Sequence, residues 1–424
     1  MSAEVRALEP RALWNHFSDL NAVPRPSKKE ERVIQFMVDF GKALNLETKV
    51  DSIGNVVIKK AATPGMENRQ TVIMQSHLDM VHQKNNDTQF DFENEGIRMR
   101  VDGDWVDADG TTLGADNGIG VAAIMAILSS TDIAHPAIEA MFTIDEETGM
   151  TGAKQLDPSN FSGSILLNLD TEDDDELSIG CAGGIDTNSV YHYQEVDSPK
   201  GCVSFKITLK GLKGGHSGMD IDKGRGNANK LMNRVLYSYP EEIYLHEIKG
   251  GGLRNAIPRE SEAIVSLPSR QTKAFEEHIK KMADTFKAEL GKVEPNLSLI
   301  ISTSQTPEKC VESADLKKIL ACIYSIHNGV YKMSLDFDDL VESSSSLAQV
   351  QISGGKFETK SLQRSSVEST KKDVANSIKA SLVLVGAQVE QSGDYPGWQP
   401  NPDSSILKTM HAMYRKIFNE EPKI

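Results

Sequence analysis

The stretch VIMQSHLD (residues 72–79) joins a short apolar run to an imidazole and a carboxyl group that follow it directly. The same pattern recurs twice, where residues 141–144 precede Asp145-Glu146-Glu147 and residues 166–169 precede Asp170. Short apolar runs that alternate with helical segments, such as residues 118–129, indicate central strands of an α/β sheet. In such sheets, ligands bind beyond the carboxyl ends of the strands. The pattern therefore predicts that these polar groups converge on one crevice.

The residue types at the predicted crevice are typical of a metal site. One imidazole and several carboxylates from separate strand ends are the ligands that zinc and manganese take in proteins. Carboxylates gathered without a cation would repel one another, and a divalent ion removes that cost. A single residue of the set could equally be a solvated charge at a strand end, so the joint pattern carries the prediction. The candidate residues are His77, Asp79, Asp116, Glu146, Glu147 and Asp170.

Two features of the set suggest a division of labour. Asp116 lies in LGADNGIG (residues 113–120), between glycines at a predicted helix start, and a carboxylate placed there can bridge two metal ions. Glu146 and Glu147 are adjacent, so one can bind metal while its neighbour moves a proton.

Composition excludes several classes of partner. The 424 residues carry 46 basic and 61 acidic side chains, and 46 − 61 gives a net charge of −15. This balance argues against nucleic acid and anionic membranes, which attract basic surfaces. The longest apolar run, residues 119–128, is far shorter than the ~20 residues that a membrane span needs. The first ten residues lack the apolar core of a signal peptide, so we expect a soluble, cytoplasmic protein.

The length predicts at least two domains. We expect the first domain at residues 1–186, after which a polar segment (186–200) is predicted to be a linker. A second domain at residues 187–392 is predicted from strands at 203–210, 253–257, 262–267 and 297–302 and helices at 227–236 and 272–290. This β-α-β-β-α-β order is typical of a ferredoxin-like fold. Four serines at 343–346 are predicted to be a short loop, and residues 393–424 are expected to leave the second domain.

Longer blocks resemble a known family. SHLDMV (76–81), GADNG (114–118), DEETG (145–149) and Leu169-Asp170 resemble the metal-site blocks of the aminoacyl-histidine dipeptidases, also called peptidase D or cytosolic non-specific dipeptidases. GLKGGHSG (211–218) and LRNAIPR (253–259) resemble the lid of that family, so the resemblance covers nearly the whole chain. It implies an α/β, zinc-exopeptidase-like catalytic domain with a mixed sheet. A ferredoxin-like α+β lid and dimerisation domain would interrupt it, and residues 393–424 would begin the returning catalytic segment.

The resemblance also implies roles for the metal-site residues. The family holds two zinc ions per subunit, for which manganese or cobalt can substitute. Asp79 would orient the metal-binding imidazole, and Glu146 would be the general base of catalysis. In the wider group the peptide bond after the bridging aspartate is cis, which predicts a cis bond between Asp116 and Asn117. The implied metal ligands are His77 and Asp170 on the first ion, Asp116 as the bridge and Glu147 on the second ion.

The implied lid residues follow from the same resemblance. His216, in a glycine-rich loop, would reach from one subunit of a homodimer into the site of the other and stabilise the developing oxyanion. Asn255 and Arg364 are candidates to bind the free carboxylate of the substrate, Arg364 through its bidentate fork. For all three residues, a solvent-exposed or purely structural role stays open at the level of the sequence.

The implied activity is hydrolysis of unblocked dipeptides, both Xaa-His dipeptides and a broader set that includes the β-alanyl-histidine type. One alternative is an amidohydrolase of the same group that acts on N-acyl amino acids. Another is an inactive, truncated relative that acts through dimerisation. Family members continue for several dozen residues beyond the end of this chain and supply a histidine to the second zinc from there. We therefore expect a truncated form or a fragment, and His411 does not match that motif.

Overall fold

The fold is described on a computed structural model of the chain, which describes residues 3–85, 87–171 and 173–424. The chain forms two compact units, one of Met1–Leu177 with Lys408–Ile424 and one of Ser178–Leu407. These divisions differ from the boundaries expected after residues 186 and 392. The first lies earlier because a strand of the second unit already begins at Gly183, before the segment predicted to be a linker.

The first unit contains a five-stranded mixed sheet in the order β1-β2-β6-β3-β7. The strands β6, β3 and β7 run parallel, whereas β1 and β2 are antiparallel. The mixed sheet is as expected. Its strands are β1 (Glu47–Val50), β2 (Val56–Lys60), β3 (Val72–His77), β6 (Ile138–Thr143) and β7 (Ile165–Asn168). A separate hairpin, which the sequence did not predict, consists of β4 (Met99–Asp102) and β5 (Trp105–Ala108).

Helices cover this sheet. Their apolar faces, spaced at helical intervals, pack with the sheet in a core that includes Leu20, Met37, Ile58 and Phe142, all buried. The helices of the first unit are α1 (Ala3–Arg6), α2 (Arg11–Asn21), α3 (Glu31–Ala43), α4 (Ala115–Ser129) and α5 (Thr151–Lys154), with a 3₁₀ turn at Pro158–Asn160.

The second unit is built on a nine-stranded antiparallel sheet. The order is β15-β10-β14-β12-β18-β19-β8-β20, and β17 pairs with β18 beside this path. Its strands, with the two short pairs β11–β13 and β9–β16, are β8 (Gly183–His192), β9 (Glu195–Asp197), β10 (Cys202–Lys210), β11 (Gly215–His216), β12 (Tyr244–Gly250), β13 (Ala256–Ile257), β14 (Ser261–Pro268), β15 (Ser298–Ser304), β16 (Lys309–Val311), β17 (Gly329–Met333), β18 (Val341–Ser353), β19 (Lys356–Ser365) and β20 (Gln388–Tyr395).

The predicted ferredoxin-like motif is present within this sheet. Strands β10, β12, β14 and β15, taken with α6 and α7, follow the order β-α-β-β-α-β along the chain and lie as β15-β10-β14-β12 in space. The helices of this unit are α6 (Ala228–Tyr237), α7 (Thr272–Leu290), α8 (Ser313–Ser325) and α9 (Glu368–Leu384), with a 3₁₀ turn at Ser269–Gln271.

One strand of the motif was predicted in the wrong place. The second strand is β12 at Tyr244–Gly250, not residues 253–257. The strand lacks a clear apolar pattern because it contains His246. This histidine is buried, and its ring nitrogens lie 2.6 Å from the carbonyl oxygen of Lys309 and 2.9 Å from Ser266 Oγ. Within 253–257, only Ala256 and Ile257 pair, and they pair with β11.

Two polar segments were also predicted wrongly. The segment predicted to be a linker (186–200) contains most of β8, and the serines at 343–346 lie buried in β18 rather than in a loop. Hydrogen bonds to Gln363 of β19 satisfy one buried polar side chain in each of these strands. Thr187 donates to Gln363 Oε1 at 2.6 Å, and Gln363 donates to Ser345 Oγ at 3.3 Å.

The last helix is α10 (Ser405–Phe418), of which residues from 408 onward belong to the first unit. Leu407 is its one buried residue. Across residues 3–85, 87–171 and 173–424, no helix combines the length and the apolar character that crossing a membrane requires.

Candidate metal centre

Three strand ends bring the predicted residues to one edge of the first sheet. Strand β3 ends at His77. Strand β6 is followed by Glu146 and Glu147, and strand β7 is followed by Asp170. Because β3 is parallel to both β6 and β7, all three carboxyl ends lie at the same edge. Asp116 reaches the cluster from the first turn of α4. The convergence predicted from the sequence is confirmed.

His77 lies at the centre of this cluster and is buried. Its Nε2 atom lies 2.9 Å from Asp116 Oδ1 and 3.5 Å from Asp170 Oδ1. Possible ligand atoms of His77, Asp116 and Asp170 lie within 4.8 Å of one another, and the same holds for His77, Glu146 and Glu147. Two groups of possible metal ligands thus share His77.

Asp79 lies behind His77 and is fully buried. Its Oδ1 atom lies 3.3 Å from His77 Nδ1 and accepts the backbone N–H of Glu146 at 3.0 Å. Its Oδ2 atom accepts the N–H of Glu147 at 3.2 Å and the hydroxyl of Ser27 at 2.9 Å. With a proton kept on Nδ1, Nε2 would be the ring nitrogen that binds a metal ion. Asp79 therefore fixes both the imidazole and the loop that carries the two glutamates.

The charges of the cluster fit a cation. Burial alone would lower the pKa of His77, but Asp170 and Asp79 outweigh it and raise the pKa to about 11. Burial raises the pKa of Glu146 and of Glu147 above the usual range, and neighbouring carboxylates raise both further. The site thus holds more negative charge than its protein surroundings balance. A divalent ion with nitrogen and oxygen ligands matches this donor set.

Asn117 connects two of the candidate ligands. The peptide bond between Asp116 and Asn117 is cis, as predicted. The side chain of Asn117 donates to the carbonyl oxygen of Leu169 at 2.9 Å and also to the carboxylate of Asp170. The start of α4 is in this way joined to the end of β7.

A third acidic group lies beside the centre but is satisfied by the protein. It consists of Glu30, Asp79 and Asp145, all buried. Glu30 Oε1 accepts the backbone N–H of Asp145 at 3.1 Å, and Asp145 accepts the hydroxyls of Thr148 and Thr151. These bonds make the group a support for the strand ends.

The lid residues predicted from the resemblance lie in the second unit. His216 Nδ1 accepts the backbone N–H groups of Gly218 at 3.3 Å and Met219 at 3.2 Å. Its Nε2 atom lies 3.5 Å from Arg364 Nη2, and Arg364 Nη1 donates to the hydroxyl of Tyr395 at 2.9 Å. His216 and Arg364 are thus brought together, both half-buried.

Asn255 directly precedes β13, the strand that pairs with the strand of His216. Its carbonyl oxygen accepts the N–H of Ser217 at 2.8 Å, in line with the pairing of His216 with Ala256. Its side chain is exposed.

Sequence reasoning missed several residues that bond to the candidate centres. Three of them are polar side chains in loops, where no periodicity marks them, and Tyr395 is the last residue of β20. Only Arg25 has a local signal, the proline on either side of it. The missed residues are Arg25, Ser27, Glu30 and Tyr395.

The fold and this cluster define a class, the α/β metallo-exopeptidases that carry a ferredoxin-like second domain. Residues 207–294 match the family model of a peptidase dimerisation domain, that of the M20 peptidases. The chain is 38% identical over 424 residues to the cytosol non-specific dipeptidase of Escherichia coli (strain K12). The match covers 100% of this chain and 87% of that protein. The chain belongs to this family of M20 dipeptidases.

Solved structures agree. The aminoacylhistidine dipeptidase of Vibrio alginolyticus superposes with a TM-score of 0.96 at 42% identity, over 100% of this chain and 86% of that one. The aminopeptidase PepT of Bacillus cereus gives a TM-score of 0.52 at 16% identity, over 98% of this chain and 84% of that one. The latter likeness is one of fold alone.

Proposed function

We propose that the chain is a zinc-dependent dipeptidase whose centre is the cluster around His77. The observation that carries this proposal is the approach of Asp116 and Asp170 to Nε2 of the buried imidazole, at 2.9 and 3.5 Å. The relatives named as dipeptidases support the choice of substrate. Substrates are unblocked dipeptides, Xaa-His dipeptides and the β-alanyl-histidine type among them.

The residues that hold the metal are His77, Asp116, Glu147 and Asp170. Zinc bound there polarises the scissile carbonyl and makes water a better nucleophile, and manganese or cobalt can take its place. His77, Asp116 and Asp170 provide three protein ligands for one ion, the usual number for catalytic zinc. Asp116 and Glu147 would hold a second ion. We expect it to bind more weakly, because the two described ligand groups share a single imidazole.

Glu146 is the group that moves protons in this proposal. Its backbone is held by Asp79, and burial raises the pKa of its carboxyl towards the range in which it can both take and release a proton. It takes a proton from the attacking water and passes it to the leaving amine. Asp79 acts through His77, whose Nδ1 lies 3.1 Å from the carbonyl oxygen of Asp79 and 3.3 Å from its carboxylate.

His216 and Arg364 form a binding site for an anion. Because His216 Nδ1 accepts two backbone N–H groups, the ring proton lies on Nε2. Burial and the nearby guanidinium lower the pKa of His216, so the ring is neutral at pH 7. Nε2–H and Arg364 Nη2 are therefore two donors that face each other at 3.5 Å, and an acceptor between them would satisfy both. The free carboxylate or the developing oxyanion of a dipeptide provides that acceptor, with Asn255 beside it.

A substrate panel tests the proposal. Purified protein, loaded with zinc, is assayed on Xaa-His dipeptides, other dipeptides and N-acetyl amino acids. We expect turnover of the dipeptides and little of the N-acetylated compounds. Faster hydrolysis of N-acetyl amino acids would instead support an amidohydrolase. Zinc binding without any turnover would support the alternative of an inactive relative that acts through dimerisation.

We also propose a homodimer that works in the cytoplasm. The match of residues 207–294 to a dimerisation domain supports the dimer, and a closed two-fold arrangement is the commonest for such proteins. The name of the Escherichia coli relative, a cytosol enzyme, supports the location.

A further inference from the structure

Arg25 is a charged side chain buried behind the candidate metal centre. It lies in the loop after α2, between Pro24 and Pro26, and is 1% exposed. A buried guanidinium is costly unless hydrogen bonds satisfy it. Its partners therefore indicate what it does.

Those partners are backbone carbonyl groups of the two loops that carry metal ligands. Nη1 donates to the carbonyl oxygens of Leu78 at 3.0 Å and Asp79 at 3.1 Å, directly after His77. Nη2 donates to the carbonyl oxygen of Gly114 at 2.5 Å, two residues before Asp116. One planar group thus joins the end of β3 to the start of α4.

Asn21 fixes the guanidinium in this position. Its Oδ1 atom accepts from Arg25 Nη2 at 3.0 Å, and its Nδ2 atom donates to the carbonyl oxygen of Leu113 at 3.0 Å. The end of α2 therefore contacts the same loop twice, once directly and once through Arg25.

Two glycines of the GADNG block make room for this group. A Cβ atom built on Gly114 would lie 2.5 Å from Arg25 Nη2, and one built on Gly118 would lie 2.6 Å from it. Both distances are shorter than any ordinary contact of a Cβ atom. The glycines that flank Asp116 therefore permit close approach of the guanidinium.

The charge of Arg25 also suits the site. Burial lowers the pKa of Arg25 to about 10, against the opposing effect of Asp79, Asp116 and Glu147. The side chain is still protonated at neutral pH, so it places a fixed positive charge beside these three carboxylates.

We propose that Arg25 is a positioning residue, which holds the loops of His77 and Asp116 at the separation that zinc requires. This inference rests on the proposed function, because it needs the zinc site. Only a planar fork can bond to both loops at once, whereas the ammonium of lysine is a single point. Arg25 therefore sets the affinity and geometry of the site without touching the substrate.

Metal binding of an Arg25→Lys variant tests the inference. Zinc affinity is measured by competition with a chromogenic chelator, and ligand geometry by the visible spectrum of the cobalt-loaded protein. We expect zinc affinity to fall by about 10- to 100-fold, the usual effect of removing a group that orients metal ligands, together with an altered cobalt spectrum. On dipeptides, kcat should fall while KM stays within about twofold. Gly118→Ala should reproduce these effects, since its new methyl group displaces the guanidinium.

Two control variants separate positioning from loss of stability. Arg32→Lys changes an exposed arginine on α3 and should bind zinc as the wild type does. Leu128→Ala empties buried space at the far end of α4 and should lower the melting temperature but not the zinc affinity. If Arg25→Lys keeps wild-type zinc affinity and cobalt spectrum, or if Leu128→Ala changes them equally, the inference is wrong. Wild-type protein that binds zinc but cleaves no dipeptide would contradict the proposed function alone, since the effect of Arg25 is measured on zinc affinity.

Discussion

The carboxylate of Asp79 lies 3.3 Å from Nδ1 of His77, and both side chains are buried. The same carboxylate accepts the backbone N–H groups of Glu146 and Glu147. Asp79 thus fixes the imidazole of His77, at the end of β3, relative to the backbone of Glu146 and Glu147, which follow β6.

Replacing Asp79 by Asn puts an amide where two acceptor oxygens were required. The NH₂ group of the asparagine then faces a donor that one oxygen of Asp79 accepted from, so the loop of Glu146 and Glu147 shifts. We expect kcat on dipeptides and zinc affinity each to fall by about 10- to 100-fold. Steady-state kinetics and chelator competition measure both. Ser27→Ala, which removes only one bond to Asp79, should have a smaller effect, and an Asp79→Asn enzyme as active as the wild type would disprove the role.

Replacing Glu146 by Gln separates proton transfer from metal binding. The amide cannot take a proton, so turnover should fall by about 10²- to 10⁴-fold while zinc stays bound. Glu147→Gln is the matched control, and it should weaken zinc binding instead. Metal analysis of both purified variants, alongside kcat, is the measurement. Loss of zinc in step with activity in Glu146→Gln would make Glu146 a ligand.

The anion site predicts a dependence on the free carboxylate of the substrate. Arg364→Lys loses the fork and should raise KM for dipeptides by about tenfold or more, the value of a hydrogen bond between charged groups. With dipeptide amides, which lack that carboxylate, variant and wild type should differ by less than about twofold. An equal loss on both kinds of substrate would show that Arg364 does not bind the carboxylate.

Exchange between subunits tests the proposed dimer. His216→Ala and Asp170→Ala are each expected to be inactive, because one lacks the lid imidazole and the other a metal ligand. If His216 acts across the interface, mixing them should restore part of the activity in heterodimers. Sedimentation must show dimers in the mixture. Dimers without any recovery would place His216 in its own subunit or outside catalysis.

Glu139 predicts a pH dependence of stability in the first unit. Burial would raise the pKa of this carboxyl, but Lys59 at 2.9 Å and the N–H groups of Ser162 and Gly163 lower it to about 2. A pKa below that of the unfolded chain stabilises the fold above about pH 4.5. This contribution, up to about 3 kcal/mol, is lost as the pH falls from about 4.5 to about 2.

The corresponding variant is Glu139→Gln. Its free energy of unfolding, from urea titrations, should lie below that of the wild type at pH 7, and this difference should have fallen to roughly half by pH 3. A difference that stays constant between these two pH values would mean that the charge of Glu139 does not stabilise the fold.

The metal cluster could be predicted from the sequence because its members follow apolar strands directly. Once β3, β6 and β7 are parallel neighbours, His77, Glu146 and Asp170 must share an edge. The ferredoxin-like order could be predicted from the same hydrophobic periodicity. The periodicity predicted β12 at the wrong residues. In the sequence, the histidine of β12 does not read as a core residue, although two hydrogen bonds allow its burial.

The sequence by itself determined the strand ends, the candidate ligands and the family, since these depend on local order along the chain. Only the tertiary structure decided that polar β8 and the serines of β18 are buried. β8 pairs with β19, which lies far away in sequence, and this pairing places β8 and the hairpin β18–β19 inside the nine-stranded sheet. The tertiary structure also decided the place of Arg25. A guanidinium that joins Leu78 to Gly114 acts between segments that are brought together only when the sheet and α4 are assembled.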